Sequence, residues 1–336
     1  MSLTSIGDLA LSYQTRLNNT RLKSELGRIS QELSSGRTSN LRARTGGDLG
    51  SYAGLENAIG SLAAYKIAAT EAGLAVGAVQ RSLETVQKIT ADAGPALLLA
   101  SSSGESTLVQ AAASDARAKF STVISVLNTR VADRALLSGT AVGTTSLADA
   151  ETMIAELRTA ISAETTAAGV TSVVDAWFDD PGGGFETNGY LGSTTDLSAF
   201  RIGPQEEAAL GLRGDNQDLR DVMKAYALAA LVADGALSGQ HVERAELLEA
   251  SATRLLAGDK ALAELRAGIG TLEARVDTAL ARNGAETVAL EIARSGLVEV
   301  DPYESATELQ AFESQLETLY TITARLSRLS LVDYLR

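Results

Sequence analysis

The sequence has no cysteine. That excludes disulfides, zinc–thiolate sites and thiol nucleophiles together. It has one histidine, His241. A catalytic or metal-binding histidine needs partners, and neither a second histidine nor a cysteine can supply them. Proline occurs only four times in 336 residues, and aromatic residues make up 4%. So little proline lets helices run long. Basic residues are the minority, 29 Lys and Arg against 42 Asp and Glu, a net charge of −13. A nucleic-acid partner requires a basic face to displace counterions, and none is visible. No apolar run reaches the 18 residues of a membrane span. The opening residues MSLTSIGDLALSYQ lack both a basic n-region and a long apolar h-region, so no cleaved signal peptide is expected.

Motifs for chemistry are equally scarce. No G-x-S-x-G and no G-x-x-x-x-G-K-[ST] occurs, and a Ser-His-Asp triad would rest wholly on His241. Asp179 and Asp180 with Gly182–Gly184 lack the alternating acids of a calcium loop and read as a turn. Gly211–Gly214 before Asp215 reads as a turn into a capped helix. The expected function is therefore non-enzymatic, with no catalytic residue, cofactor or metal.

What the sequence has is helical periodicity. Leu22, Leu26, Ile29 and Leu33 step by 4, 3, 4, a coiled-coil seam that stops at Ser34-Ser35-Gly36. A second helix is predicted from about Leu55 to Ala93, with Val76, Val79, Leu83 and Val86 as its seam and Gly94-Pro95 as its end. A third, about 107–137, carries Ala116, Phe120, Val123 and Leu127. Further on, Leu262, Leu265, Ile269, Leu272, Val276 and Leu280 mark a long helix beginning near Gln240. The last helix has a start written into it: Asp301 as N-cap, Pro302 first and Glu304 third. Its seam is Leu309, Phe312, Leu316, Leu319 and Leu326, widened by Ile322 and Leu329.

The middle reads differently. Val170–Phe178, Phe185–Leu191, Asp196–Ile202 and Glu206–Arg213 are short β-prone runs separated by glycine and proline. Helices are predicted on either side, near Ala148–Ala163 and Asp218–Ala233. Trp177, Phe178 and Phe185 are expected to fill the small core of this part.

The expected fold is mainly α: a long coiled-coil-like rod built from both chain ends, with a small β-rich (α+β) insertion. The boundaries are an N-terminal arm, 1–50; rod helices, 51–138; the insertion, 139–214; rod helices, 215–300; and a C-terminal arm, 301–336. Seams at the two ends cannot bury themselves alone, so the arms should pair. Charge agrees: residues 1–50 hold seven basic and four acidic groups, residues 301–336 three and six. Tyr334 and Leu335, large apolar groups at the end of the sequence, also want a covering surface.

Several segments resemble one family. Leu33-Ser34-Ser35-Gly36-Arg37 is similar to the L-S-S/T-G-x motif of bacterial flagellins and their hook-associated relatives. Leu127-Asn128-Thr129 followed by Ala135-Leu136-Leu137-Ser138-Gly139-Thr140 resembles their L-N…L-F-S-G-T segment, with Leu137 in place of Phe. Leu329-Ser330-Leu331-Val332-Asp333-Tyr334-Leu335 is similar to the S-L-x-D-Y-L close of the hook–filament junction proteins, the hook-associated type 3 class. Asp301 to Leu309 matches their D-x-x-x-A-x-x-x-L opening. Residues 38–54 depart from flagellin proper in lacking its D-D-A-A-G-L run.

The resemblance implies a flagellar structural subunit that polymerises at the hook–filament junction. Flagellin itself is the nearest alternative, and an exported coiled-coil adhesin or effector is the alternative of another class. It further implies a tubular assembly with copies of itself, contact with a neighbouring hook-associated protein and with flagellin, and an export chaperone on the C-terminal helix. Export would leave the chain outside the cell, with no nucleic-acid or membrane partner. The residues expected to pack between subunits are Leu22, Leu26, Ile29, Leu33, Leu309, Phe312, Leu316, Leu319, Leu326, Leu329, Tyr334 and Leu335.

Overall fold

The computed structural model describes residues 6–334, with side chains for 10–325. The fold is mainly α with a small β-containing part. In chain order the elements are α1 (Ile6–Ser35), α2 (Leu41–Arg44), α3 (Gly50–Ser102), α4 (Ser106–Leu127), β1 (Arg130–Val131), β2 (Arg134–Ala135), α5 (Ala150–Ala160), α6 (Ala167–Asp179), β3 (Phe200–Gly203), β4 (Glu206–Ala208), α7 (Gln217–Ala233), α8 (His241–Val298) and α9 (Pro302–Tyr334). The chain divides into two compact units, one of Met1–Leu62 with Ala285–Arg336, the other of Ala63–Gly284.

The larger unit holds the core. Within it α3 and α8 present matching seams. Ala69, Ala72, Val76, Val79, Leu83, Val86, Thr90, Ala93, Leu97 and Ala100 are buried at steps of 3 and 4. On α8 the buried series ends Ile269, Leu272, Val276, Ala279, Asn283. Leu280, expected in that seam, is half-buried at its edge. The two helices run antiparallel, with Arg266 reaching both Gln87 and Glu84.

Between the flanking helices lies α7. Every residue from Ala225 to Val232 is fully buried. A helix apolar all round can only be stable when covered on all sides, and here α4, α5 and α6 pack onto it. Burial pushes the Tyr226 hydroxyl up to about 12, and that hydroxyl meets Thr90 Oγ1 at 3.4 Å. Lys224, nearly buried, is held by Asp179 and Asp221, each at 2.6 Å. Arg254 of α8 grips Asp175 of α6 through both nitrogens, at 2.5 and 2.8 Å.

Four expectations change here. Helix α3 passes straight through Gly94 and Pro95 to Ser102. A Cβ at Gly94 would lie 3.1 Å from Leu256 Cδ2, so this glycine serves close helix packing rather than termination. The third helix ends at Leu127, and a tight hairpin, β1–β2, takes the next residues. The run Val170–Phe178 is helical, within α6, because its buried residues Val170, Val174, Trp177 and Phe178 recur at helical spacing and outweigh the β preference of valine. Phe185–Gly189 is a single wide helical turn. Of the four β-prone runs, only the last two contribute strands, β3 and β4, paired antiparallel across the Pro204 turn. Trp177, Phe178 and Phe185 do form one ring cluster, at centroid distances of 4.7 to 6.2 Å. Its rings belong to the shared core of the larger unit.

One 18-residue window of α3 is long and apolar enough to cross a membrane, with a mean hydropathy of 1.3, and 44% of it is buried inside the protein. A helix packed in a bundle core meets the same test of length and composition.

Candidate functional site: the paired chain ends

In the smaller unit, α1 and α9 pack on each other. They run antiparallel: the end of α1 meets the start of α9, and Lys23 sits over the Tyr320 ring at 6.0 Å. Asp301 caps α9 as its sequence predicts, accepting from the Tyr303 amide at 2.8 Å and the Glu304 amide at 3.4 Å. Leu22 shares an open groove with Phe312, Leu319 and Ile322. Ile29 is buried, while Leu22, Leu26, Leu33, Leu309, Phe312, Leu316 and Leu319 are half-buried. The side chains of Leu326, Leu329, Tyr334 and Leu335 lie outside the described residues.

This unit has little core of its own. Its fully buried hydrophobic residues are Ile29, Leu62 and Val298 among the described residues. It nevertheless carries nine of the seventeen large exposed hydrophobic residues among the described residues, in about a third of the chain: Leu11, Tyr13, Leu17, Leu49, Val288, Ile292, Tyr303, Tyr320 and Ile322. Sequence reading singled out only Ile322 of these. Outward from Leu22 the seam positions of α1 pass to Asn19 and Thr15, both half-buried polar residues. Leu11, Tyr13 and Leu17 therefore lie off that seam, and all three are exposed. A signal existed in three large apolar residues off the seam within seven positions.

Where α1 ends, the chain is tied down. Gly36 has φ +68°, a conformation that side chains resist, and its amide donates to the Glu32 carbonyl at 2.7 Å. Thr38 N–H donates to Val298 O, and Val300 N–H donates to Gly36 O, at 2.8 and 3.1 Å. Glu32 is buried, and its carboxylate accepts from the Ser39 amide and hydroxyl, both at 2.7 Å, and from Arg28 at 2.6 Å. Burial alone would raise its pKa, but the Ser39 donors and the Arg28 charge outweigh it and hold the carboxyl below its usual range. A carboxyl depressed in the folded state contributes stability above its unfolded pKa and loses it as pH falls through the folded value. Helix content of the terminal unit should therefore be constant from pH 7 to about 5 and fall below about pH 4. Glu32→Gln should remove part of that acid dependence, which circular dichroism over pH 3–7 would measure.

The remaining family-like motif closes a loop in the larger unit. Asn128 pairs both ways with the Leu147 backbone, accepting at 2.8 Å and donating at 2.9 Å. Leu137 O accepts from Gly214 N–H at 2.7 Å, and Ser138 O from Ser193 N–H at 2.9 Å. Thr140 N–H donates to Thr195 O at 3.1 Å. Tyr190, its hydroxyl pushed up to about 12 chiefly by burial, donates to Ser193 O at 2.9 Å. Residues 137–140 thus clamp 190–195 and 214 together.

His241 is exposed at the first turn of α8, beside Gly104, Ser106 and Val242. Among the described residues no group of three His, Asp or Glu side chains converges as a metal ligand set.

Fold and site define a mainly helical protein whose two chain ends pair in a unit poor in core and rich in exposed apolar side chains. Residues 258–335 match the model of the bacterial flagellin C-terminal helical region. That region is 78 of the 336 residues, and over it the chain is similar to bacterial flagellins. No curated protein matches it. Among solved structures, one that matches is a provisionally assigned flagellar hook-associated protein from Vibrio parahaemolyticus, at 11% identity and a TM-score of 0.39, covering 83% of this chain and 96% of that one. A likeness at that distance identifies nothing by itself.

Proposed function

We propose that this chain is a non-enzymatic subunit that polymerises with copies of itself at the hook–filament junction and adapts hook to filament. The observation that carries the assembly reading is the terminal unit, with three buried hydrophobic residues against nine large exposed ones among its described residues. Neighbouring subunits would bury those residues, and full burial of one leucine or phenylalanine is worth roughly 1.5–3 kcal/mol. Leu22, Leu26, Ile29, Leu33, Leu309, Phe312, Leu316 and Leu319 then hold the pair together, and the outward residues meet the neighbours. The S-L-V-D-Y-L tail and the missing D-D-A-A-G-L run favour the junction over the filament. Residues 139–214 are taken as an insertion closed at its base by the Leu137–Thr140 clamp. The chain would leave the cell escorted by a chaperone on α9, and would contact a hook-associated protein and flagellin. Flagellin itself is the second reading, since the matching model is flagellin's own C-terminal region. Fluorescent labelling of a functional cysteine variant on intact flagella separates the two. One spot at the distal end of the hook is expected, and a continuous stripe along the filament would establish flagellin instead.

A further inference from the structure

We propose that the segment Glu32–Ser39 with Val298–Val300 is a clasp from which the terminal helix pair closes outward, with Glu32 as its positioning residue. Three observations converge. First, among the described residues the clasp is the one place in the pair where backbone joins backbone: Thr38 to Val298 and Gly36 to Val300, with Arg37 opposite Glu299. Second, the buried Glu32 carboxylate binds across six or seven residues to Thr38 and Ser39, so the last turn of α1 and the chain beyond it are fixed as one piece. Third, full burial along the seam is confined to the clasp end. Ile29 is 1% exposed, and beyond it the seam positions Leu26, Leu22, Asn19 and Thr15 are only half-buried. Along α9, Ser305 is buried, the seam residues Leu309, Phe312, Leu316 and Leu319 are half-buried, and Tyr320 and Ile322 are about half exposed.

The physical consequence follows from helix cooperativity. A helix pair with so few buried contacts cannot offset the cost of its own nucleus. A fixed point that sets register and antiparallel direction removes that cost at one end, after which each further turn adds a contact. The outer turns, least buried, open first and remain available to other surfaces. The groups around Glu32 are Arg28, itself bonded to Glu25, and the backbone and hydroxyls of Thr38 and Ser39. The inference concerns the free chain and holds wherever in the flagellum it resides.

Hydrogen exchange on the full-length protein, read by mass spectrometry, tests it with Glu32→Gln and Ser39→Ala. In the parent chain, protection should decline from residues near 29 and 305 towards those near 11 and 322. Both variants should raise exchange at least tenfold along α1 and α9 together, at residues as remote as 15–22 and 312–319, while peptides of α7 stay unchanged. Acceleration confined to residues 30–40 would overturn the proposal and leave Glu32 a local cap. Uniform protection along the parent arms, an unprotected parent pair, or loss of protection in α7 as well would overturn it too.

Discussion

Gly139→Ala should lower the melting temperature of the larger unit by about 10 °C. Gly139 has φ +58°, and a Cβ there would stand 2.3 Å from Thr195 O and 2.6 Å from Ser193 O. Both are backbone atoms, so no side chain can swing away. The chain at 193–195 must shift, and the bonds Thr140–Thr195 and Ser193–Ser138 go with it. Left-handed backbone costs an L-residue roughly 1–2 kcal/mol, and each lost hydrogen bond costs about 1 kcal/mol. The total is about 3–4 kcal/mol, and in a unit of this size each kcal/mol moves the midpoint by about 2–4 °C. Near-UV circular dichroism of the single tryptophan, Trp177, reports that unit directly. A drop smaller than about 2 °C would mean that the clamp yields freely and that this glycine is not required by geometry.

This result would also give the Leu137-Ser138-Gly139-Thr140 motif a physical basis independent of family likeness. The same holds for Asn128, whose side chain substitutes for a backbone partner at Leu147. Both motifs were visible in the sequence as resemblances, but their reason was not. It depends on Ser193, Thr195 and Gly214, which sit more than fifty residues away from the motif's first serine in the chain.

Other parts of the fold were legible to unequal degrees. The start of α9 was readable because a cap is local, and Asp301, Pro302 and Glu304 carry it alone. The long seams were readable because a heptad repeats many times. Where the seam of α8 leaves its large apolar residues, reading faltered: Leu280 was chosen, but Ala279 and Asn283 are the buried pair. Asn283 Nδ2 donates to Ile202 O at 2.9 Å, a polar seam position that β3 helps to satisfy. The run Val170–Phe178 was misread because β-branched residues suit strands, whereas its burial repeat is helical. In the terminal unit the inward seam was found and the outward residues were missed. Their importance arises from what fails to cover them, and uncovered surface is a property of the folded chain.

That uncovered surface carries the account's central claim, so the most direct measurement targets residues that fold does not need. Leu17 is 58% exposed and Ile322 is 50% exposed. Replacing both, Leu17→Lys with Ile322→Lys, removes little buried area from the free chain, and surface changes of this kind usually fall within about 0.5 kcal/mol. In an assembly the same positions would lie against a neighbour, where two unpaired buried charges are strongly unfavourable. The measurement is the number of hooks that carry a filament, counted by electron microscopy in cells making the double variant as the sole copy, beside the melting temperature of the purified variant. The account predicts a melting temperature within about 1 °C of the parent and loss of nearly all filaments from hooks, with the protein still exported. Filaments at parental number, with the variant present in them, would contradict it.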